Sequence, residues 1–225
     1  MSVATWNTRS LTQERFSYCK NLGYDVLAIT ELWRSQGKYQ NKSTAFIASE
    51  PILMQNGPRK GQPRFPEDRA SGVGILLSKR AQDKLLSFGS QGERVCYVRL
   101  QGPTCNLFVI AIYVPHRGRT KPCQDDTLKD LEAVLKTVPA SDCICIAGDF
   151  NEQVAAGVEH RTGKWTPGPA SKNADKIMQL MQLHNLTAIN TFFKPRHKFA
   201  LNTFLQTMRK DSADSDQGEY VGRRV

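Results

Sequence analysis

The chain has 225 residues, 40% of them apolar, and carries 31 Lys and Arg against 21 Asp and Glu, a net charge of +10 with a pI near 9.4. That length suits one large domain with a hydrophobic core of its own, and the apolar content excludes a disordered chain. The positive surplus favours a polyanionic partner, nucleic acid before an anionic membrane surface, and no apolar run approaches the roughly 20 residues that cross a bilayer.

The chain opens directly on a strand, Val3 to Thr8, without a signal-peptide pattern, so an intracellular protein is expected. Thr12 to Leu22 reads as a helix: Thr12 caps it, Phe16 and Cys19 share a face, and Gly23 ends it. Asp25 to Thr30 is a buried strand running into Glu31. Thr44 to Ala48 is a short strand, and Gln55 to Ala70, rich in basic residues and proline, is a loop. Val73 to Ser78, Glu93 to Leu100 and Leu107 to Val114 follow as strands.

Asp125 to Val138 has the amphipathic spacing of a helix, with Leu128, Leu131, Val134 and Leu135 on one side. Asp142 to Ala147 is a buried strand, Asn173 to His184 a second helix, and Leu186 to Asn190 a strand. Many strands mixed with few helices, several of them apolar on both faces, predict an α+β domain of stacked sheets flanked by helices. No repeat or linker divides residues 1–225, so a single domain is expected. The six cysteines, Cys19, Cys96, Cys105, Cys123, Cys143 and Cys145, form no C-x-x-C pair and lack a histidine at zinc-finger spacing. They read as free buried thiols in a reducing compartment.

Four short motifs sit where strands end: TWN at Thr5 to Asn7, TELW at Thr30 to Trp33, IYVP at Ile112 to Pro115 and GDFN at Gly148 to Asn151. Strand ends hold polar residues in fixed directions, which suits a site. Any one motif alone reads as a turn, a cap or a core aromatic. Together they offer a set of hard ligands and donors. Glu31 beside the amide of Asn7 suits a divalent cation that keeps most of its shell for water and phosphate. Asp149 is a second carboxylate, able to deprotonate or orient water. Asn151 and Tyr113 are neutral donors for phosphate oxygens as charge builds.

TWN, TELW, YVP and GDFN, in that order, resemble the exonuclease–endonuclease–phosphatase superfamily over about Val3 to Thr203. The resemblance implies a four-layer α/β/β/α sandwich of two mixed sheets, with the site at one end. It implies Asn7 and Glu31 as metal ligands, with Mg²⁺ as the cofactor and Mn²⁺ an alternative. Tyr113 looks like a phosphate contact, Asp149 the water-activating carboxylate, and Asn151 its companion on the pentacovalent phosphorus. ATWNTRSL at the start and the run Asn173 to Phe193 are similar to endonuclease domains of non-LTR retrotransposons, which precede a reverse transcriptase. Asn173, and Thr203 in the NTF step Asn202 to Phe204, are expected near DNA. That likeness implies a monomeric, nuclear, DNA-nicking enzyme without a membrane role.

Basic residues follow the motifs: Arg34, Lys38 and Lys42 after Glu31, Arg117, Arg119 and Lys121 after YVP, and Lys194, Arg196 and Lys198 before NTF. His116 and Arg117 are the candidates for direct phosphate contact. The family ends on an Asp and then an Asp–His pair. None of His116, His160, His184 and His197 follows an Asp, so no catalytic histidine is identified. The sandwich is accordingly expected to lack its last strands. Two further functions stay open: an inactive remnant that only binds nucleic acid, and a small-phosphoester hydrolase of the same superfamily.

Overall fold

The computed structural model describes residues 1–32, 72–115, 121–166, 168–171 and 174–194, together with strand residues 38–40, 44–48 and 207–208; for these strands and for 121–123 only the backbone is described. In chain order the elements are β1 (Val3–Asn7), α1 (Gln13–Asn21), β2 (Val26–Thr30), β3 (Lys38–Gln40), β4 (Thr44–Ala48), β5 (Val73–Ser78), α2 (Lys79–Gln82), β6 (Leu85–Gln91), β7 (Val95–Leu100), β8 (Leu107–Tyr113), α3 (Lys121–Thr137), β9 (Cys143–Asp149), α4 (Ala174–Leu183), a 3₁₀ turn (Ile189–Phe192) and β10 (Thr207–Met208).

The strands form two mixed sheets, ordered β1-β2-β5-β4-β3 and β10-β9-β8-β7-β6 among the described residues. In the first, β1 and β2 run parallel; in the second, β8 and β9 do. Alternation along each strand sorts the side chains into three apolar layers. Val26, Ala28, Ile75 and Leu77 of the first sheet meet Val98, Val109, Ala111 and Cys145 of the second in a core between the sheets. Ile110, Ile112, Ile144 and Ile146 point the other way, onto Leu131, Leu135, Ile177 and Met181 of α3 and α4. Leu27 and Ile29 point outward onto Cys19 and Phe16 of α1. The result is the α+β sandwich of two mixed sheets flanked by helices that the strand pattern predicts.

The local rules hold for most elements. The Thr12 side chain accepts the Arg15 N–H at 3.2 Å and starts α1, and Gly23, at φ +74, turns the chain out after it. Three readings change. Leu186 to Asn190 is not a strand: only Ala188 makes a bridge, to Thr162, and the chain then coils into the 3₁₀ turn. Its Leu186 and Ala188 side chains instead pack into the helix-side core, and Thr191, just after it, accepts the Gly163 N–H. α3 begins at Lys121, four residues before the predicted start, because a proline in the first turn, Pro122, gives up an N–H that has no helical partner there. β6 escapes the sequence pattern because it is an edge strand with few buried positions.

Two positions carry specific stability. Gly148 lies in β9 where it pairs with Ile112, and a Cβ there would sit 1.9 Å from the Ile112 carbonyl oxygen. The strand can therefore pass only without a side chain. At the other end of the first sheet, Asp25 accepts from Arg80 Nε at 2.9 Å, from Arg80 Nη2, from the Ser2 N–H at 2.7 Å and from Ser78 Oγ at 3.2 Å. The Arg80 hydrogen bonds hold its carboxyl well below the ordinary value of 3.8, against the opposing effect of burial.

Gly148→Ala is expected to cost about 1–3 kcal/mol by overpacking, measured by denaturant unfolding. Because the Asp25 pKa is depressed in the folded state, its contribution is present above the unfolded value and is lost as pH falls below it. The stability gap between wild type and Asp25→Asn should thus be full at pH 7 and close progressively below about pH 4. A gap that stays constant down to acid pH would refute this.

Candidate functional site

The first two motifs reach the same corner by way of parallel strands. β1 and β2 run side by side, with Asn7 paired to Thr30, so Asn7 and Glu31 leave the sheet together. The loop after β1 is then stitched to the segment after β2. The Thr8 N–H donates to the Thr30 carbonyl at 3.1 Å, Ser10 N–H to Glu31 at 2.8 Å, and Leu11 N–H to Leu32 at 3.0 Å. Arg15, from the first turn of α1, donates through Nη1 to the carbonyls of Thr8, Arg9 and Ser10 at 2.7–2.9 Å. Glu31 itself is held in the left-handed region at φ +55, a conformation costly for a residue with a side chain and sustained here by those bonds.

The other two motifs come from the second sheet. Tyr113 and Asp149 are partners at the ends of the parallel strands β8 and β9. Asp149 is only 4% exposed. Its Oδ1 accepts the Asn151 N–H at 3.0 Å, and its carbonyl accepts the Val114 N–H at 2.8 Å. Asn151 sits at φ +49, and its side-chain amide donates to the Val114 carbonyl at 2.8 Å. One of its two Nδ2 hydrogens is thus committed to the backbone, which leaves the other for a substrate oxygen. Tyr113 is 1% exposed and belongs to the core between the sheets.

The sheets bring the two pairs into one cluster. Asn7 Nδ2 donates to Glu31 Oε1 at 2.7 Å and to Asp149 Oδ2 at 3.2 Å. Two carboxylates, 118 residues apart in the chain and carried by different sheets, therefore share one amide. Asn7 Oδ1 meanwhile accepts the Arg9 N–H at 3.1 Å. Three or more His, Cys, Asp or Glu side chains do not converge anywhere among the described residues, so this oxygen set is two carboxylates and one amide. Its chemistry fits a hard divalent cation: the anionic oxygens converge on a single neutral donor, and a cation would relieve their repulsion. Glu31, Asp149 and, after rotation of its amide, Asn7 are the residues that would hold it.

Sequence reasoning missed Arg94. It immediately precedes β7, and its carbonyl accepts the Tyr113 N–H at 3.0 Å. The next residue, Val95, faces the helix-side core, so alternation puts Arg94 on the same face as Tyr113 and Asp149. Its side chain is 18% exposed, its Nη2 lies 4.0 Å from Glu93 Oε2, and its Nε lacks a hydrogen-bond partner among the described residues. The signal available in sequence was a basic residue at the entrance to an alternating strand, which is too common to single out. His116, Arg117, Asn173 and Thr203, expected at phosphate or DNA, lie outside the described residues, as do Trp33 and the loop expected at Gln55 to Ala70. No helix among the described residues is long and apolar enough to cross a membrane.

Comparison with known proteins places the fold and the family. Among curated proteins, craniofacial development protein 2 from Bos taurus is 24% identical over 199 residues, covering 85% of this chain and 31% of that protein. The chain thus spans about a third of the length of the curated relatives it matches. Among solved structures, a 3′ phosphatase, NExo, from Neisseria bound to a product DNA hairpin superposes with a TM-score of 0.58 at 15% identity, over 92% of this chain and 85% of that one. The endonuclease domain of TRAS1, a telomere-specific non-LTR retrotransposon, gives 0.57 at 11% identity, over 92% and 83%. These likenesses establish a shared fold. The model of the endonuclease/exonuclease/phosphatase family matches residues 4–190, a span that contains Asn7, Glu31, Tyr113, Asp149 and Asn151, and the chain belongs to that family.

Proposed function

We propose that this chain is a divalent-metal-dependent phosphodiesterase that nicks DNA, as the endonuclease part of a retrotransposon-type protein. The observation that carries the reading is the convergence of Glu31 and Asp149 on the amide of Asn7. A structural role alone gives no reason to bring two carboxylates from different sheets to one neutral donor. The net charge of +10 supports a polyanionic substrate over a small phosphoester. The family includes nucleases and phosphatases by its very name, and the Neisseria relative was solved with DNA.

In this reading Mg²⁺, or Mn²⁺ in its place, supplies Lewis-acid stabilisation of the phosphate charge when bound. The protein side of the chemistry follows from the contacts. Asp149 accepts from the Asn151 N–H and the Asn7 amide, and as a carboxylate it can take a proton from an attacking water. The free Nδ2 hydrogen of Asn151 meets a non-bridging phosphate oxygen. Arg94, with an unpaired Nε beside Tyr113, offers a planar donor pair to another as negative charge accumulates. Tyr113, at the end of β8 beside Asp149, is proposed as a phosphate contact through its hydroxyl. His116, Arg117, Asn173 and Thr203 are proposed to extend the contact along the DNA backbone. The intracellular, nuclear setting, the monomeric state and the fusion to a reverse transcriptase are proposed with it.

A supercoiled-plasmid nicking assay in Mg²⁺ tests the reading. Asp149→Ala should lower nicking by about 10²–10⁴-fold, and Glu31→Gln should raise the Mg²⁺ concentration required. If the wild-type chain binds DNA but does not nick it at saturating Mg²⁺ or Mn²⁺, it is a binding remnant. Rapid hydrolysis of a small phosphoester with no dependence on DNA length would instead favour the small-substrate reading.

Arg94 has its own test. Arg94→Ala is expected to reduce kcat/KM for nicking on the order of 10–100-fold, the value of one charge-assisted hydrogen bond. The Mg²⁺ requirement should stay the same. An unchanged kcat/KM would remove Arg94 from the site.

A further inference from the structure

The ends of β8 and β9 opposite to Tyr113 and Asp149 bring two thiols together. Cys105 lies in the turn between β7 and β8, and Cys143 is the first residue of β9. Their Sγ atoms are 2.7 Å apart. Backbone structure fixes this approach. Leu107 pairs with Cys143 in the parallel ladder, and the Cys143 N–H donates to the Asn106 carbonyl at 2.8 Å. The turn itself needs Gly102, where a Cβ would lie 1.9 Å from the Cys105 carbonyl oxygen. Next to Cys143, Asp142 is anchored by Arg99 Nε at 2.6 Å and Nη2 at 3.0 Å, so both flanks of the pair are held.

The pair differs from the other described cysteines. Cys105 and Cys143 are half-buried, whereas Cys19, Cys96 and Cys145 are buried, and burial pushes the Cys19 thiol up to about 11 and Cys96 further still. A thiol that resists ionisation and is shielded from solvent resists oxidation. The expectation of buried free thiols therefore fails here in burial: Cys105 and Cys143 are free but only half-buried.

We propose that Cys105 and Cys143 are a modification site, a dithiol that closes to a disulfide when it meets a low-molecular-weight disulfide. One cysteine, as its thiolate, attacks the small disulfide and releases one small thiol, leaving a mixed disulfide. The second cysteine then attacks the protein sulfur of that mixed disulfide, the protein S–S bond forms, and the second small thiol leaves. The protein dithiol is oxidised by two electrons and the small disulfide is reduced to two thiols. Closure needs only a small side-chain shift, from 2.7 Å to an S–S bond of about 2.05 Å. The bond would close a loop containing β8 and α3, and so restrict the unfolded chain. It lies at the far end of the strands from the carboxylates and is independent of the proposed nuclease chemistry.

The experiment is to equilibrate the full chain in glutathione buffers from fully reduced to fully oxidised. Oxidation should remove two of the six thiols together, lower the mass by two hydrogens, and give a tryptic species joining the Cys105 and Cys143 peptides. The Tm should rise by about 5–10 °C, and neither the cross-link nor the rise should occur in Cys105→Ser or Cys143→Ser. Separate glutathione adducts on the two residues without a cross-link would overturn the proposal. So would retention of all six thiols in the most oxidising buffer.

Discussion

One neutral amide stands between two negative charges. Asn7 donates to Glu31 on its own sheet and to Asp149 on the facing one, and every other feature of the corner serves to keep those three groups in place. Like charges brought this close repel strongly at low dielectric. The arrangement persists because the repulsion acts against rigid strands and not against free side chains. It is also why the corner suits a cation: the groups that repel each other are the groups that would bind it.

The rigidity comes from the layer between the sheets. Val26, Ala28, Ile75 and Leu77 interlock with Val98, Val109, Ala111 and Cys145, which fixes β1 over β9 to within the tolerance of close packing. Gly148 extends that precision to the last step before Asp149, since the strand passes the Ile112 carbonyl with no space for a methyl group. The left-handed backbones of Glu31 and Asn151 then turn the chain abruptly at the sheet edges. Unfavourable local conformations therefore fall at the two places where a side chain must be aimed, and tertiary bonds from Thr8, Ser10 and Arg15 sustain the first of them.

The two ends of the sandwich carry different tasks. At the end away from the carboxylates, Asp25 binds Arg80, Ser2 and Ser78, and Arg99 binds Asp142. Both acids are met by a two-pronged arginine, and Asp25 also by serine donors. At the site end, two carboxylates share the single amide of Asn7, and Arg94 keeps an Nε without a hydrogen-bond partner among the described residues. Matched charges hold the fold at one end, while the proposed chemistry draws on the groups at the other.

The sequence by itself determined the strands and the residues at their ends. Unbroken apolar runs such as LFVIAIY and VLAIT can only be buried strands, and the polar residues that stop them, Asn7, Glu31 and Asp149, are displayed by that geometry. It also determined the cap of α1 at Thr12, because a hydroxyl before a helix serves local backbone donors. What it left undetermined were features that depend on partners remote in the chain. Leu186 to Asn190 has a strand's composition but finds no sheet edge to pair with, and β6 pairs with β7 although few of its side chains are buried. Arg94 comes beside Tyr113 through ladder alternation at the start of β7, and Cys105 meets Cys143 through the register of β8 on β9. Local sequence fixes how a segment twists and which face is apolar; only packing decides which segments face one another, because that choice is made by contacts between residues far apart along the chain.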